Sequence, residues 1–148
     1  MDCIDLCILE ALRKNARTPA SSIAKLANLS VPAILERIKK LSSSGVIERF
    51  TIQLNRRRMG ETLLAFVFVR LESAADTMFF REKTIAFPCV LECHHIAGDY
   101  DYLLKVSVAD TALLEEFLSM QLKQIPGVLA TNTLIVLTTL KEEFNVTL

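Results

Sequence analysis

Residues 18–47 read TPASSIAKLANLSVPAILERIKKLSSSGVI, and their spacing decides the fold of the first part of the chain. Pro19 predicts a helix start, with Thr18 as its N-cap and proline at the first helical position, where a missing N–H costs nothing. Ile23, Leu26 and Ala27 give this helix a short apolar stripe, and it ends near Asn28, which tolerates a left-handed exit. Ser30 caps a third helix over 31–43, where Ile34, Ile38 and Leu41 recur at helical spacing. Glu36, Arg37, Lys39 and Lys40 lie largely on its other faces. Small Ala24 and the Asn28–Leu29 turn let the two helices cross closely over Ile34. The N-terminal residues of the third helix then face outward, the geometry of a helix-turn-helix entering a major groove. Upstream, residues 2–14 supply a first helix with Ile4, Ile8, Leu9 and Leu12 on one stripe and Asp2 and Asp5 in its first turn. Downstream, Gly45 ends the third helix, and 46–52 (VIERFTI) reads as a short β segment suited to a wing. The plainer alternative is a three-helix bundle with a solvated basic face.

The whole chain has 148 residues, enough for one large domain or two small ones. Its 17 Lys+Arg balance its 17 Asp+Glu, but the halves differ. Residues 1–58 carry 11 basic against 5 acidic side chains, and residues 59–148 carry 6 against 12. A basic module is thus joined to an acidic one, a pattern that suits nucleic-acid contact by the first. This charge density excludes a disordered chain, and four Gly with four Pro exclude a fibrous one. Acidic Asp2 and Asp5 stand where a signal peptide would be basic, and the uncharged run 124–140 is broken by Pro126 and Gly127. The expectation is a cytoplasmic protein, with no membrane partner and with Cys3, Cys7, Cys89 and Cys93 reduced. An apolar fraction of 51% in so small a chain predicts that another subunit covers part of its surface.

From Glu61 onward the rhythm is strand, helix, strand, strand, helix, strand. Residues 63–71 are almost wholly apolar, so both faces of that strand should be covered. A helix follows over 76–87 with Phe80, Thr84 and Phe87 on one face, then a strand over 90–97, a turn at 98–101 and a strand over 102–108. Asp110 opens a helix to about Gln124 with the stripe Leu114, Phe117, Leu118, Leu122 and Ile125, and 128–140 is the last strand. This βαββαβ order is ferredoxin-like: four antiparallel strands with both helices on one face. The other face then calls for a second copy of the chain.

Two patterns carry a specific resemblance. Asp2-x-x-Asp5-x-x-Ile8-Leu9-x-x-Leu12, Asn15-Ala16-Arg17 and Leu29-Ser30 through Glu36-Arg37-Ile38-x-x-Leu41-x-x-x-Gly45-Val46-Ile47 resemble the Lrp/AsnC family of prokaryotic transcription regulators. Asn28 in place of the usual turn glycine, and Ser42-Ser43-Ser44 where charge is usual, depart from it. The resemblance implies an α+β chain: a winged helix-turn-helix DNA-binding domain over 1–52, a linker over 53–60, and a ferredoxin-like effector-binding and oligomerisation domain over 61–148. It implies double-stranded DNA as partner and a homodimer that assembles further, for example to an octamer. The recognition helix maps onto 30–40, which places Ser30, Val31, Pro32 and Ala33 nearest the bases and Arg37 and Lys40 on bases or phosphates. A phosphate is favoured for Arg37, Arg17 is expected on the DNA backbone, and Arg56-Arg57-Arg58 is either a solvated hinge or a further contact.

In the acidic half, Gly98-Asp99-Tyr100-Asp101-Tyr102 is similar to the family's effector loop. The resemblance implies that backbone amides near Gly98 take the carboxylate of an amino acid or related metabolite, and that Asp101 or Asp99 takes its ammonium. Thr131 and Thr133 match polar positions that join this loop from another subunit. A plain strand-turn-strand hairpin is the alternative for 98–102. Cys89, Cys93, His94 and His95 lack the Cys-x₂₋₄-Cys spacing of a zinc knuckle, so no metal and no cofactor is expected. No phosphate loop, nucleophile elbow or zinc-protease motif is present, which argues against an enzyme. The rivals are a metal- or thiol-responsive regulator on the same fold and an amino-acid-binding protein that does not bind DNA.

Overall fold

The computed structural model describes residues 1–146. They form two compact units, Met1–Gln53 with the described residues from Lys141 onward, and Leu54–Leu140.

The first unit is built on α1 (Cys3–Lys14), α2 (Ala20–Ala27) and α3 (Val31–Ser43). Asp2 caps α1, accepting the N–H groups of Ile4 and Asp5 at 2.9 Å each, while Asp5 accepts the Asp2 N–H at 3.0 Å. This reciprocal box satisfies donors that a helix start leaves orphaned. Thr18 does not cap α2, contrary to the sequence reading. Its hydroxyl donates to the Asn15 carbonyl at 2.7 Å, and Pro19 takes the N-cap position of α2 with no side-chain acceptor. Asn28 takes the left-handed conformation (φ 52°), and Leu29 N–H donates back to the Ala24 carbonyl at 3.0 Å. Ser30 then caps α3 through the Ala33 N–H. Ile8, Ile23, Ala24, Ile34 and Leu41 form the shared core, so each helix contributes to one small apolar centre.

The expected wing strand is not formed. Residues 46–52 have no regular structure, and only Ile47 is drawn in, its N–H donating to the Leu41 carbonyl at 3.0 Å. A lone β segment without a paired neighbour gains no ladder, and none of the described strands lies beside it.

In the second unit a short 3₁₀ turn (Arg56–Met59) leads into β1 (Leu63–Leu71), α4 (Thr77–Ile85), β2 (Val90–His95), β3 (Tyr102–Val108), α5 (Thr111–Glu116) and β4 (Val128–Ile135). The antiparallel sheet runs β2-β3-β1-β4, which is the ferredoxin-like order the sequence predicts. After α5 the backbone passes through a π turn at Phe117–Gln121 and a 3₁₀ turn at Leu122–Gln124, so the single helix expected to Gln124 is broken into three. The stripe still points inward: Leu114, Phe117, Leu122 and Ile125 are buried against Ala65, Val67, Val69 and Leu71 of β1. β4 ends five residues short of the predicted Leu140. Gly127 opens it at φ 88°, and any β-carbon there would overlap the Asp76 side chain, so only glycine fits the turn.

Register sorts the strand residues by face. Val67 and Val69 lie opposite Leu104 and Tyr102 on the helix side, while Phe66 and Phe68 lie opposite Lys105 and Leu103 on the side that carries no helix. Leu64 and Leu134 share that second face, and Leu134 is half exposed.

Candidate functional site

The outward surface of α3 starts with Ser30, Val31 and Pro32, all exposed, followed by half-buried Ala33. Periodicity also leaves Leu35, Glu36 and Lys39 in solvent, with Leu35 53% exposed. Leu35 escapes the sequence reading because an apolar residue next to Ile34 passes for core. Lys40 pairs with Glu36 at 2.9 Å, one helical turn apart and both well exposed, so the pair contributes little. Arg17 is exposed in the turn after α1.

Arg37 departs from expectation. Its Nη1 donates to Asp5 Oδ1 at 2.7 Å and to Asp2 Oδ2 at 2.9 Å, so one guanidinium nitrogen is tied to the start of α1 while the side chain stays 31% exposed. The capping box of α1 and the middle of α3 therefore share one charge-assisted network. Each carboxyl is held below its ordinary range, first by the backbone N–H of the other aspartate and then by Arg37. Beside this network a cleft of about 500 Å³ is lined by Asp5, Ala33, Glu36, Arg37, Lys40 and Val46.

Lowered carboxyl pKa values mean the folded form prefers the ionised groups, so their stabilisation is present above about pH 4 and is lost as pH falls through the lowered values. Glu10, drawn down to about 2 by Arg13 and then Lys14, acts in the same direction. Helical signal from the first unit should hold between pH 5 and 8 and fall below pH 4. In Asp2→Asn/Asp5→Asn the acid limb should flatten; circular dichroism across that range checks it.

In the second unit, residues 96–101 connect β2 to β3. Ile96 N–H donates to the Asp101 carbonyl, and Asp101 N–H donates to the Val69 carbonyl, each at 2.9 Å. The Asp101 carboxylate accepts the Leu71 N–H at 2.7 Å. Asp101 thus clips the loop onto the end of β1, a structural duty the sequence does not show. Gly98 and Asp99 are exposed, and the Tyr100 ring rests on Phe68 with centroids 5.5 Å apart. Tyr102 does not belong with them. It is 1% exposed in the helix-side core, 4.7 Å from the Phe80 ring, and its hydroxyl accepts from Arg81 Nε at 2.7 Å. Alternation explains this: Asp101 ends the loop and Tyr102 starts β3 facing the helices.

Thr131 and Thr133 lie on β4, opposite Val69 and Val67 of β1, on the helix side. Strand β1 stands between them and β3, which separates the threonines from the loop by two strand spacings, roughly 10 Å. One copy of the chain does not bring the two halves of the expected effector site together. The cysteines and histidines do not converge either. Among the described residues no three of His, Cys, Asp or Glu are placed to hold a metal. His95 stacks on Tyr102 at 5.0 Å on the helix side, whereas His94 reaches Glu92 at 3.1 Å on the other face. Burial pushes the Cys89 and Cys93 thiols up, which disfavours reactive thiolates. No helix among the described residues is long and apolar enough to cross a membrane.

Two family models cover nearly the whole chain: the AsnC-type helix-turn-helix domain matches residues 1–42 and the Lrp/AsnC ligand binding domain matches residues 64–146. The chain belongs to the Lrp/AsnC family. The HTH-type transcriptional regulator FL11 of Pyrococcus furiosus is 36% identical over 96% of this chain and 93% of its own length. The leucine-responsive regulatory protein of Escherichia coli is 34% identical over 96% and 88%. Among solved structures, a transcriptional regulator of Neisseria meningitidis in complex with L-Met superposes with TM-score 0.94 at 25% identity, covering 99% of this chain and 96% of that one. Escherichia coli AsnC superposes with TM-score 0.92 at 29% identity over 97% and 96%. As an Lrp/AsnC protein the chain is a helix-turn-helix transcription regulator, and its relatives are regulators rather than enzymes.

Proposed function

We propose that this Lrp/AsnC chain binds double-stranded DNA in the cytoplasm through α3, with residues 1–52 as the DNA-binding domain and 61–148 as the effector-binding and oligomerising one. An amino acid or related metabolite bound between subunits sets its DNA affinity or assembly. The observation that carries the reading is the start of α3, where Ser30, Val31 and Pro32 project to solvent while Ile34 and Leu41 anchor the helix on Ile8 and Ile23. Ser30, Val31, Pro32 and Ala33 meet base edges; Arg17 and Lys40 meet phosphates.

The helix-free sheet face, with Leu64, Phe66, Phe68 and Leu134, supports a homodimer that builds larger assemblies such as an octamer. Separation of the 98–101 loop from Thr131 and Thr133 supports an effector site shared between copies, with Gly98, Asp99, Tyr100 and Asp101 on one side. An effector that couples to DNA in this way shifts affinity by about 1–3 kcal/mol.

Fluorescence anisotropy with duplex DNA across a salt series tests the first claim. Affinity should fall steeply with salt, the logarithmic slope being about −0.9 per phosphate neutralised; a flat response sinks the DNA reading. A thermal-shift screen of the twenty amino acids should supply an effector. Asp101→Asn keeps an acceptor for the Leu71 N–H but removes the charge. It should weaken effector binding by tenfold or more, read by titration calorimetry, with effector-free DNA affinity unchanged within twofold.

A further inference from the structure

We infer that α3 reads its target chiefly through the C5-methyl groups of thymine, by apolar contact from Val31, Pro32, Ala33 and Leu35. This rests on the DNA reading above and goes further, to the chemistry of the base edge that is recognised. The commonest guanine readers are Arg and Lys, whose paired donors match the two acceptors of its major-groove edge. The one guanidinium of α3 is drawn back toward the start of α1, with Arg37 Nη1 held by Asp5 at 2.7 Å and Asp2 at 2.9 Å. Lys40 lies nine residues beyond Val31, about 14 Å along the helix, and serves a phosphate. Lys39 lies two turns beyond Val31, about 12 Å along the helix, where α3 reaches the phosphate rim and no longer the groove floor.

An adenine reader needs the paired donor and acceptor of Asn or Gln, and α3 contains neither. Beside Glu36, an acceptor that leans back to Lys40, what the first two turns present is hydrocarbon. Val31 is 38% and Leu35 53% exposed, one turn apart on the same side of α3, with Pro32 exposed beside them. Apolar side chains of this size cost free energy when left in water, and thymine carries the apolar group of the major groove. Ser30, at the cap, adds one hydroxyl that suits any base, so it does not alter the preference.

The test starts by selecting binders of the full-length protein from a random pool of short DNA duplexes. The enriched duplexes are then resynthesised with deoxyuridine for thymidine, which deletes the methyl group and leaves pairing intact. Thymine should be enriched in both half-sites, and affinity should fall about three- to fivefold for each contacted methyl removed. Leu35→Ala and Val31→Ala, both at solvent-exposed positions, should shrink that penalty while leaving the salt slope as it is. Enrichment of guanine at the contacted positions, or equal affinity for the thymine and uracil duplexes, overturns the inference while leaving DNA binding itself established. If no duplex shows salt-dependent binding, the DNA reading fails and this inference fails with it.

Discussion

Phe80→Ala should remove about 3–5 kcal/mol from the stability of the second unit, the range for deleting a buried aromatic ring. Phe80 is fully buried on α4, packed at 4.7 Å against the Tyr102 ring of β3. The loss has two parts: the apolar area returned to water and the cavity left under a helix that the sheet holds in place. The smaller truncation Phe80→Leu should cost about half as much, because part of the cavity is refilled. The measurement is urea unfolding at one fixed protein concentration, since assembly would otherwise contribute to the midpoint. A change under 1 kcal/mol would mean that α4 is not seated on the sheet as described.

Ile34→Ala is the counterpart in the first unit, with an expected cost of about 2–5 kcal/mol. Ile34 is fully buried where α3 meets Ile8 of α1 and Ile23 of α2. A core of five buried side chains has little in reserve, because small domains hold only about 3–5 kcal/mol in all. The first unit should therefore be largely unfolded in this variant, with DNA affinity down at least tenfold by anisotropy. The second unit has a separate core and should keep its subunit assembly, read as molar mass by sedimentation equilibrium, and its unfolding transition. Loss of both transitions together would show that the two units fold as one.

Most of the architecture follows from local chemistry. Asn28 exits α2 left-handed, Ser30 caps α3, Pro126-Gly127 turns into β4, and the apolar alternation of 102–108 fixes β3; all are short-range effects. Two expectations fail for different reasons. Residues 46–52 have strand composition but no neighbouring strand, and β-structure requires one. Thr18 has the chemistry of an N-cap, but the Asn15 carbonyl is nearer to hand.

The site residues divide in the same way. The sequence by itself determined the family pattern, the two units of opposite charge and the outward start of α3, because each depends on residues a few positions apart. Only the tertiary structure decided that Arg37 is held by carboxylates 32 and 35 positions away and that Asp101 clips a backbone amide 30 positions away. It likewise decided that Tyr102 is core and that a strand separates the loop from Thr131 and Thr133. Which polar group meets which partner across such separations is set by how the helices cross and the strands register, and the periodicity of a single element carries no record of that.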